Sequence, residues 1–239
     1  MSIAVLVMTD GRDEHLDRAV QSASWHLGGP ITEWFMHDDS GDDDHRAQLA
    51  KRYPQFVQLG IGPRRGFGGA INWAWSVLSI NRALDFAFYI EDDFVFHVED
   101  DFIFHQPVDL GAMADVLTSR PHLAQLALRR QPWNDAERAA GGIVEQHPDD
   151  YVEQTDEDGN AWLEHRRFFT TNPCLYPREL CSAGWPAGPD SEGRFGLRLL
   201  ERGLPWGVSG ADVRMGFWGA RDSGEWVEHI GVQRAGTGY

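Results

Sequence analysis

Two adjoining stretches, Tyr89-Ile90-Glu91-Asp92-Asp93-Phe94-Val95-Phe96 and His97-Val98-Glu99-Asp100-Asp101-Phe102-Ile103-Phe104, decide how this chain is read. Each delivers three consecutive acids from an apolar run of strand character and then resumes as Phe-x-Phe. Three carboxylates at the end of a buried strand repel one another and lose hydration, and both effects penalise their charged forms. A divalent cation removes that penalty, and hard oxygen ligands suit Mg²⁺ or Mn²⁺. The echo has too short a period for a solenoid and reads as a local tandem duplication.

Upstream of these runs, strand and helix signals alternate. Ile3 to Met8 is a continuous apolar run, expected to be a strand buried on both faces. It ends in Thr9-Asp10-Gly11-Arg12, after which Leu16, Ala19, Val20, Ala23 and Leu27 recur with helical spacing until Gly28-Gly29-Pro30. Ile31 to His37 is a second strand and runs straight into Asp38-Asp39-Ser40-Gly41-Asp42. A helical stretch over 46–52 leads to a third strand at Phe56 to Leu59. The Gly-rich turn Gly60 to Gly69 then opens a helix with Phe67, Ala70, Ile71, Ala74 and Leu78 on its apolar face. Phe86 to Ile90 is the expected fourth strand. Polar clusters thus fall at strand carboxyl ends, the pattern of a doubly wound, mostly parallel α/β sheet that binds ligands along that edge.

Downstream the pattern loosens. Asp109 is placed to cap a helix carrying Leu110, Met113, Val116 and Leu117, and His122 to Leu128 reads as a strand. Asn134 to Asn160 is polar and poorly periodic, an expected surface excursion. Phe168 to Pro173 reads as a strand entering a turn, Ser191 as the cap of a helix ending at Gly203, and Glu225 to Gly231 as a last strand.

The 239 residues suit a single domain, and the 42% apolar content can bury a substantial core. A net charge of −16 disfavours a nucleic-acid backbone or an anionic membrane as partner. Cys174 and Cys181 make neither a disulfide framework nor a metal quartet, and no stretch has the length of a membrane span or a secretory leader. The expected location is the cytoplasm.

In physical terms, a strand-end acid such as Asp38 or Asp39 can accept from a ribose or a base N–H, and Arg64 or Arg65 on the Gly-rich turn can grip a phosphate. The glycines around Gly66 spell neither a P-loop nor a dinucleotide fingerprint. His229, in an apolar strand pattern, can complete a carboxylate-rich metal site. Glu192, in the first turn of a helix, can serve as a general base toward a hydroxyl.

The ordered set of strand, Asp38-Asp39-Ser40, Gly-rich helix start and acidic triplet resembles the GT-A glycosyltransferases. Arg65 to Asn72, Glu-Asp-Asp-Phe, Gln125 to Trp133, Thr171-Asn172-Pro173, Ser191 to Phe195, His229-Ile230-Gly231 and the Gly-Thr-Gly-Tyr end resemble, more narrowly, the small glycosyltransferases of actinobacterial bacteriophages. That resemblance implies a nucleotide-sugar-binding half over 1–105 and an acceptor half over 106–239. It implies donor contacts from Thr9, Asp10, Arg12, Asp38, Asp39, Arg65, Gly66, Glu91 and Asp92. It also implies Asp93 and His229 as ligands of Mn²⁺ or Mg²⁺, with Asp93 and Glu192 in catalysis. The doubled triplet departs from the family pattern, which needs one. Spacing from the Gly66 helix favours Glu91-Asp92-Asp93, while the run Phe102 to Leu110 favours Glu99-Asp100-Asp101 and would make Asp101 the ligand. The first copy is taken here.

The expected activity is therefore metal-dependent transfer of a sugar from a nucleoside-diphosphate sugar, a UDP-sugar first among them, to a hydroxyl acceptor. A protein, such as a phage structural protein, a glycan and modified nucleic acid are the acceptors considered, the last disfavoured by charge. A sugar-1-phosphate nucleotidyltransferase is the rival enzyme, kept alive by Arg12 after the first strand. An acidic carbohydrate- or cation-binding module is the non-enzymatic rival.

Overall fold

The computed structural model describes residues 1–79 and 92–231. Strand β1 (Ile3–Thr9) is its axis, with every residue buried. Ile3, Val5 and Val7 pack into one hydrophobic cluster, and Ala4, Leu6 and Met8 into another on the opposite face. A continuous apolar run is therefore what this position requires. The first cluster takes Leu16, Val20 and Ala23 from α1 (Asp13–His26).

Short β2 (Leu27–Gly28) precedes β3 (Ile31–Asp38), which lies parallel to β1 with Thr9 beside Asp38. Helix α2 (Asp43–Arg52) starts at Asp42, whose carboxylate accepts from the amides of Asp44 (2.9 Å) and His45 (3.1 Å). β4 (Val57–Gln58) follows, and then α3 (Phe67–Ser79), which lays Ala70, Ile71, Ala74 and Leu78 into the second cluster. Gly60, just after β4, has no room for a side chain: a Cβ there would stand 2.6 Å from the Asp38 carbonyl oxygen. Gly60→Ala is expected to cost roughly 1–3 kcal/mol, as overpacking does. A thermal melt would detect that loss.

The next strand revises the expected order. Phe86 to Ile90, the anticipated fourth strand, lies outside the described residues, and the strand beside β1 is β5 (Phe94–Glu99). It runs parallel to β1, with Phe94 opposite Ile3 and Glu99 opposite Met8. The apolar residues between the two acidic triplets are thus the strand itself.

β6 (Phe102–Phe104) and β7 (Val108–Asp109) lead into α4 (Leu110–Ser119), and Asp109 caps it through the Ala112 amide at 3.0 Å, as expected. β8 (Leu123–Ala127) matches its expected place. The supposed surface excursion is instead folded into α5 (Asp135–Ala140), α6 (Ile143–Gln146), a 3₁₀ turn and β9 (Val152–Thr155), with Val144 and Tyr151 buried.

The remaining elements are β10 (Ala161–His165), β11 (Cys174–Pro177), α7 (Ser191–Arg202), β12 (Arg214–Trp218) and β13 (Val227–His229). Phe168 to Pro173, expected as a strand, is irregular and leads into β11. The large sheet has the order β4-β3-β1-β5-β11-β8-β12-β10-β9. Its first four strands are parallel. β11 then runs antiparallel to both β5 and β8, which makes the far half mixed. β13 pairs with β6 in a separate ribbon.

Candidate functional site

The carboxyl ends of β1, β3 and β5 meet at one edge of the sheet, beside the amino end of α3. A cleft open to solvent lies there, bordered by Met8, Thr9, Asp10 and Arg12 on one side and by Phe67, Ala70 and Ile71 of α3 on the other. Thr9 donates its hydroxyl to Asp100 at 2.6 Å. Arg12 spans three acids, donating to Asp10 (2.9 Å), Asp101 (2.6 Å) and Asp100. Arg64 reaches Asp10 at 2.8 Å. Thr9, Asp10 and Arg12, the three donor contacts expected after the first strand, all line the cleft.

The Gly-rich turn is held by Asp39, whose two carboxylate oxygens accept from the amides of Arg65 (2.8 Å) and Gly66 (2.7 Å). Gly66 has φ +71°, a conformation open to glycine at little cost. Asp39 faces the cleft, but Asp38 does not. Its buried carboxylate accepts from the Ser40 hydroxyl (2.6 Å) and pairs with His45 (2.9 Å), so it shapes the turn from within. Arg65 also departs from expectation. Its guanidinium lies over the Trp73 ring at 4.5 Å, and Arg64 is the residue that enters the cleft.

The two acidic triplets part company here. Asp92 and Asp93 sit at the amino end of β5, where Asp92 holds the Thr32 hydroxyl and Asp93 accepts from the Ser2 amide at 3.0 Å. Six residue steps along β5, about 20 Å at ~3.3 Å each, separate Asp93 from Glu99. Asp92 and Asp93 are therefore not brought together with Asp10, Asp39 or His229, and Glu91 lies outside the described residues. Glu99, Asp100 and Asp101 are the acids that β5 delivers to the carboxyl edge.

Pairing of β13 with β6 sets His229 opposite Phe102, immediately after this second triplet. His229 Nε2 stands 3.2 Å from Asp101 Oδ2. Its ring is stacked on Phe102 at 4.7 Å and meets Trp133 at a tilt, 4.2 Å between centroids. Gln131 fixes its backbone with two hydrogen bonds, donating to the His229 carbonyl (2.9 Å) and accepting from its amide (2.8 Å). At Gly231 any side chain would collide with the Asp101 carboxylate. Burial alone would raise the Asp101 pKa, but hydrogen bonds and charge from His229 and Arg12 together hold it below the ordinary range. Its Oδ1 atom is buried without a hydrogen-bond partner. Such an atom costs about 1–3 kcal/mol or more until something binds it.

That vacant oxygen and the adjacent imidazole form a donor pair suited to a divalent cation. Among the described residues no cluster of three His, Cys, Asp or Glu side chains is arranged to hold a metal ion unaided. Mg²⁺-type sites commonly use one or two carboxylates and complete the shell with water and substrate phosphate oxygens. Asp101 and His229 fit that kind of site.

Behind Glu99, which lines the cleft, lies a second carboxylate. Glu192 accepts from the Thr171 amide (2.5 Å) and hydroxyl (3.1 Å), and the same Thr171 side chain hydrogen-bonds Glu99. Burial raises the Glu192 pKa, with Glu99 adding to the effect. Burial, reinforced by Asp101, brings Glu99 to about 7. Ser191 lies inside α7 rather than capping it, and its hydroxyl accepts from Trp185 at 2.9 Å. The residue before it, Asp190, takes a left-handed conformation (φ 50°).

Sequence reasoning weighed Glu99 and Asp100 only as members of the alternative triplet, and it did not single out His97, Thr171 or Gln131 as site residues. Only His97 carried a local signal, as a polar residue inside an apolar strand.

No known family profile matches the chain, and no curated protein matches it. Solved structures do. S. aureus TarS 1–349 in complex with UDP aligns with TM-score 0.60 and 15% identity, covering 95% of this chain and 60% of that one. Mannosyltransferase PcManGT from Pyrobaculum calidifontis, in complex with GDP-Man and Mn²⁺, gives 0.59 and 13%, covering 98% and 58%. GalNAc-T7 with UDP, GalNAc and Mn²⁺ gives 0.62 and 9%, covering 100% and 45%. The protein has the fold of these GT-A glycosyltransferases. It spans only 45% to 60% of their lengths. Among the described residues no helix is long and apolar enough to cross a membrane.

Proposed function

We propose that this protein is a metal-dependent glycosyltransferase that moves a sugar from a nucleoside-diphosphate sugar, a UDP-sugar first among them, to a hydroxyl acceptor. The observation that carries this reading is the Asp101–His229 pair with its unpartnered carboxylate oxygen, at the sheet edge where Thr9, Asp10 and Asp39 converge. Asp101 and His229 would hold Mn²⁺ or Mg²⁺, which supplies positive charge where the leaving diphosphate gains negative charge. Arg12 and Arg64 supply further cations for the phosphates. Asp39, with the turn it ties down, borders the nucleoside. Glu192 takes the acceptor's proton, so that transfer inverts the anomeric centre.

In this reading residues 1–105 form the donor half and 106–239 the acceptor half. The likeness to bacteriophage enzymes makes a phage structural protein the first acceptor to try, in the cytoplasm where nucleotide sugars are made. UDP with Mn²⁺ should raise the melting temperature by several degrees, more than either alone, because ligands that bind only the folded state stabilise it. EDTA should erase the gain. A melt unmoved by UDP, GDP and their sugars, with and without Mn²⁺, would sink the proposal.

A further inference from the structure

The buried residues of β5 are apolar with one exception, His97. Its side chain is 2% exposed, yet it lies on the floor of the cleft, and its Nε2 has no hydrogen-bond partner. Neither neighbouring strand offers one. Opposite it on β1 is Leu6, and opposite it on β11 is Cys174, whose thiol turns to the Thr170 carbonyl at 3.6 Å. Glu99 Oε1 stands 3.8 Å away, beyond hydrogen-bond length. A leucine would satisfy the packing here without stranding a polar atom. A buried polar group left unmatched in an otherwise well-packed strand points to a partner that arrives with the ligand.

Burial drives the His97 pKa down to about 4, so the ring is neutral at physiological pH. A neutral imidazole offers one donor and one acceptor nitrogen, the complement of an alcohol, which is itself both. It does not attract phosphate as a cation would. The cations of the cleft, Arg12 and Arg64, are gathered at Asp10, just past the end of β1, whereas His97 and Glu99 come from β5.

We propose that His97 and Glu99 form the sugar-reading floor of the cleft, with His97 Nε2 hydrogen-bonding a hydroxyl of the donor's sugar and thereby setting which sugar is accepted. This rests on the nucleotide-sugar reading above and deepens it. Sites built to hydrogen-bond a substrate hydroxyl discriminate strongly, because an analogue without it leaves the site's own polar groups unpaired.

The test is calorimetric titration of UDP, GDP and a panel of their sugars, with Mn²⁺, into wild type, His97→Leu and His97→Gln, alongside thermal melts. His97→Leu should bind the bare nucleotide within about twofold of wild type, and melt no lower, since a stranded polar atom is removed. It should lose at least about tenfold of the affinity advantage that the preferred sugar nucleotide holds over the bare one. His97→Gln, which keeps a polar tip, should retain part of that advantage. An undiminished advantage in His97→Leu overturns the assignment. So does a parallel fall of nucleotide and sugar-nucleotide affinity with melting temperature in both variants, the mark of a packing role. A wild type that binds no nucleotide or sugar nucleotide overturns the proposed function as well, which separates the two failures.

Discussion

Asp101→Asn is expected to lower Mn²⁺-dependent donor turnover by roughly 10²–10³-fold, while Asp93→Asn leaves it within about twofold. The two residues close identical Glu-Asp-Asp triplets, so residue type cannot separate them; position does. Asp93 is half-exposed beside Ser2 at the amino end of β5. Asp101 is at the carboxyl end, in contact with His229 and with one oxygen unsatisfied. Losing a metal's charge stabilisation costs several kcal/mol, and each ~1.4 kcal/mol is tenfold in rate. Asparagine keeps the shape of the side chain and removes its charge, so Mn²⁺ affinity measured by titration in the presence of UDP should fall together with turnover. Equal losses in the two variants, or a loss confined to Asp93→Asn, would return the metal to the first triplet.

The same comparison shows where sequence reading stops. The parallel half was legible because its signals are local. A fully apolar run makes β1, Asp109 caps α4, and the period of Ala70, Ile71 and Ala74 makes α3. The choice between triplets is non-local. It depends on Phe94 lying against Ile3 and on His229 lying against Phe102, pairings between segments about ninety and more than a hundred residues apart. Because Phe94 to Val98 follows one triplet and precedes the other, the same strand could be assigned to either. The mixed half was harder still. In β12 Gly216 interrupts the pattern, yet a Cβ there would stand 2.6 Å from Leu126 Cδ2, so close packing of neighbouring strands demands the residue that hides the strand. Asp38 and Asp39 were adjacent acids with one expectation. Backbone direction sent one inward to Ser40 and His45 and the other to the cleft.

Glu192→Gln carries the second large effect, an expected fall in kcat of about 10²–10⁴-fold, the usual worth of a positioned general base. Glutamine preserves the side chain's oxygen acceptor for the Thr171 amide, so the fold and the nucleotide affinity should be unchanged. The pH profile carries the mechanistic information. A base works only when deprotonated, and burial, with Glu99 adding to it, raises the Glu192 pKa above the ordinary glutamate value. Turnover in wild type should therefore rise with pH through a limb displaced upward from ~4.5, because below that pKa the carboxyl already holds the proton it must accept. In Glu192→Gln that limb should vanish along with the rate. A variant that is slow yet keeps the wild-type limb would mean that another group accepts the proton, and Glu99, joined to Glu192 through Thr171, would be the next carboxyl to replace.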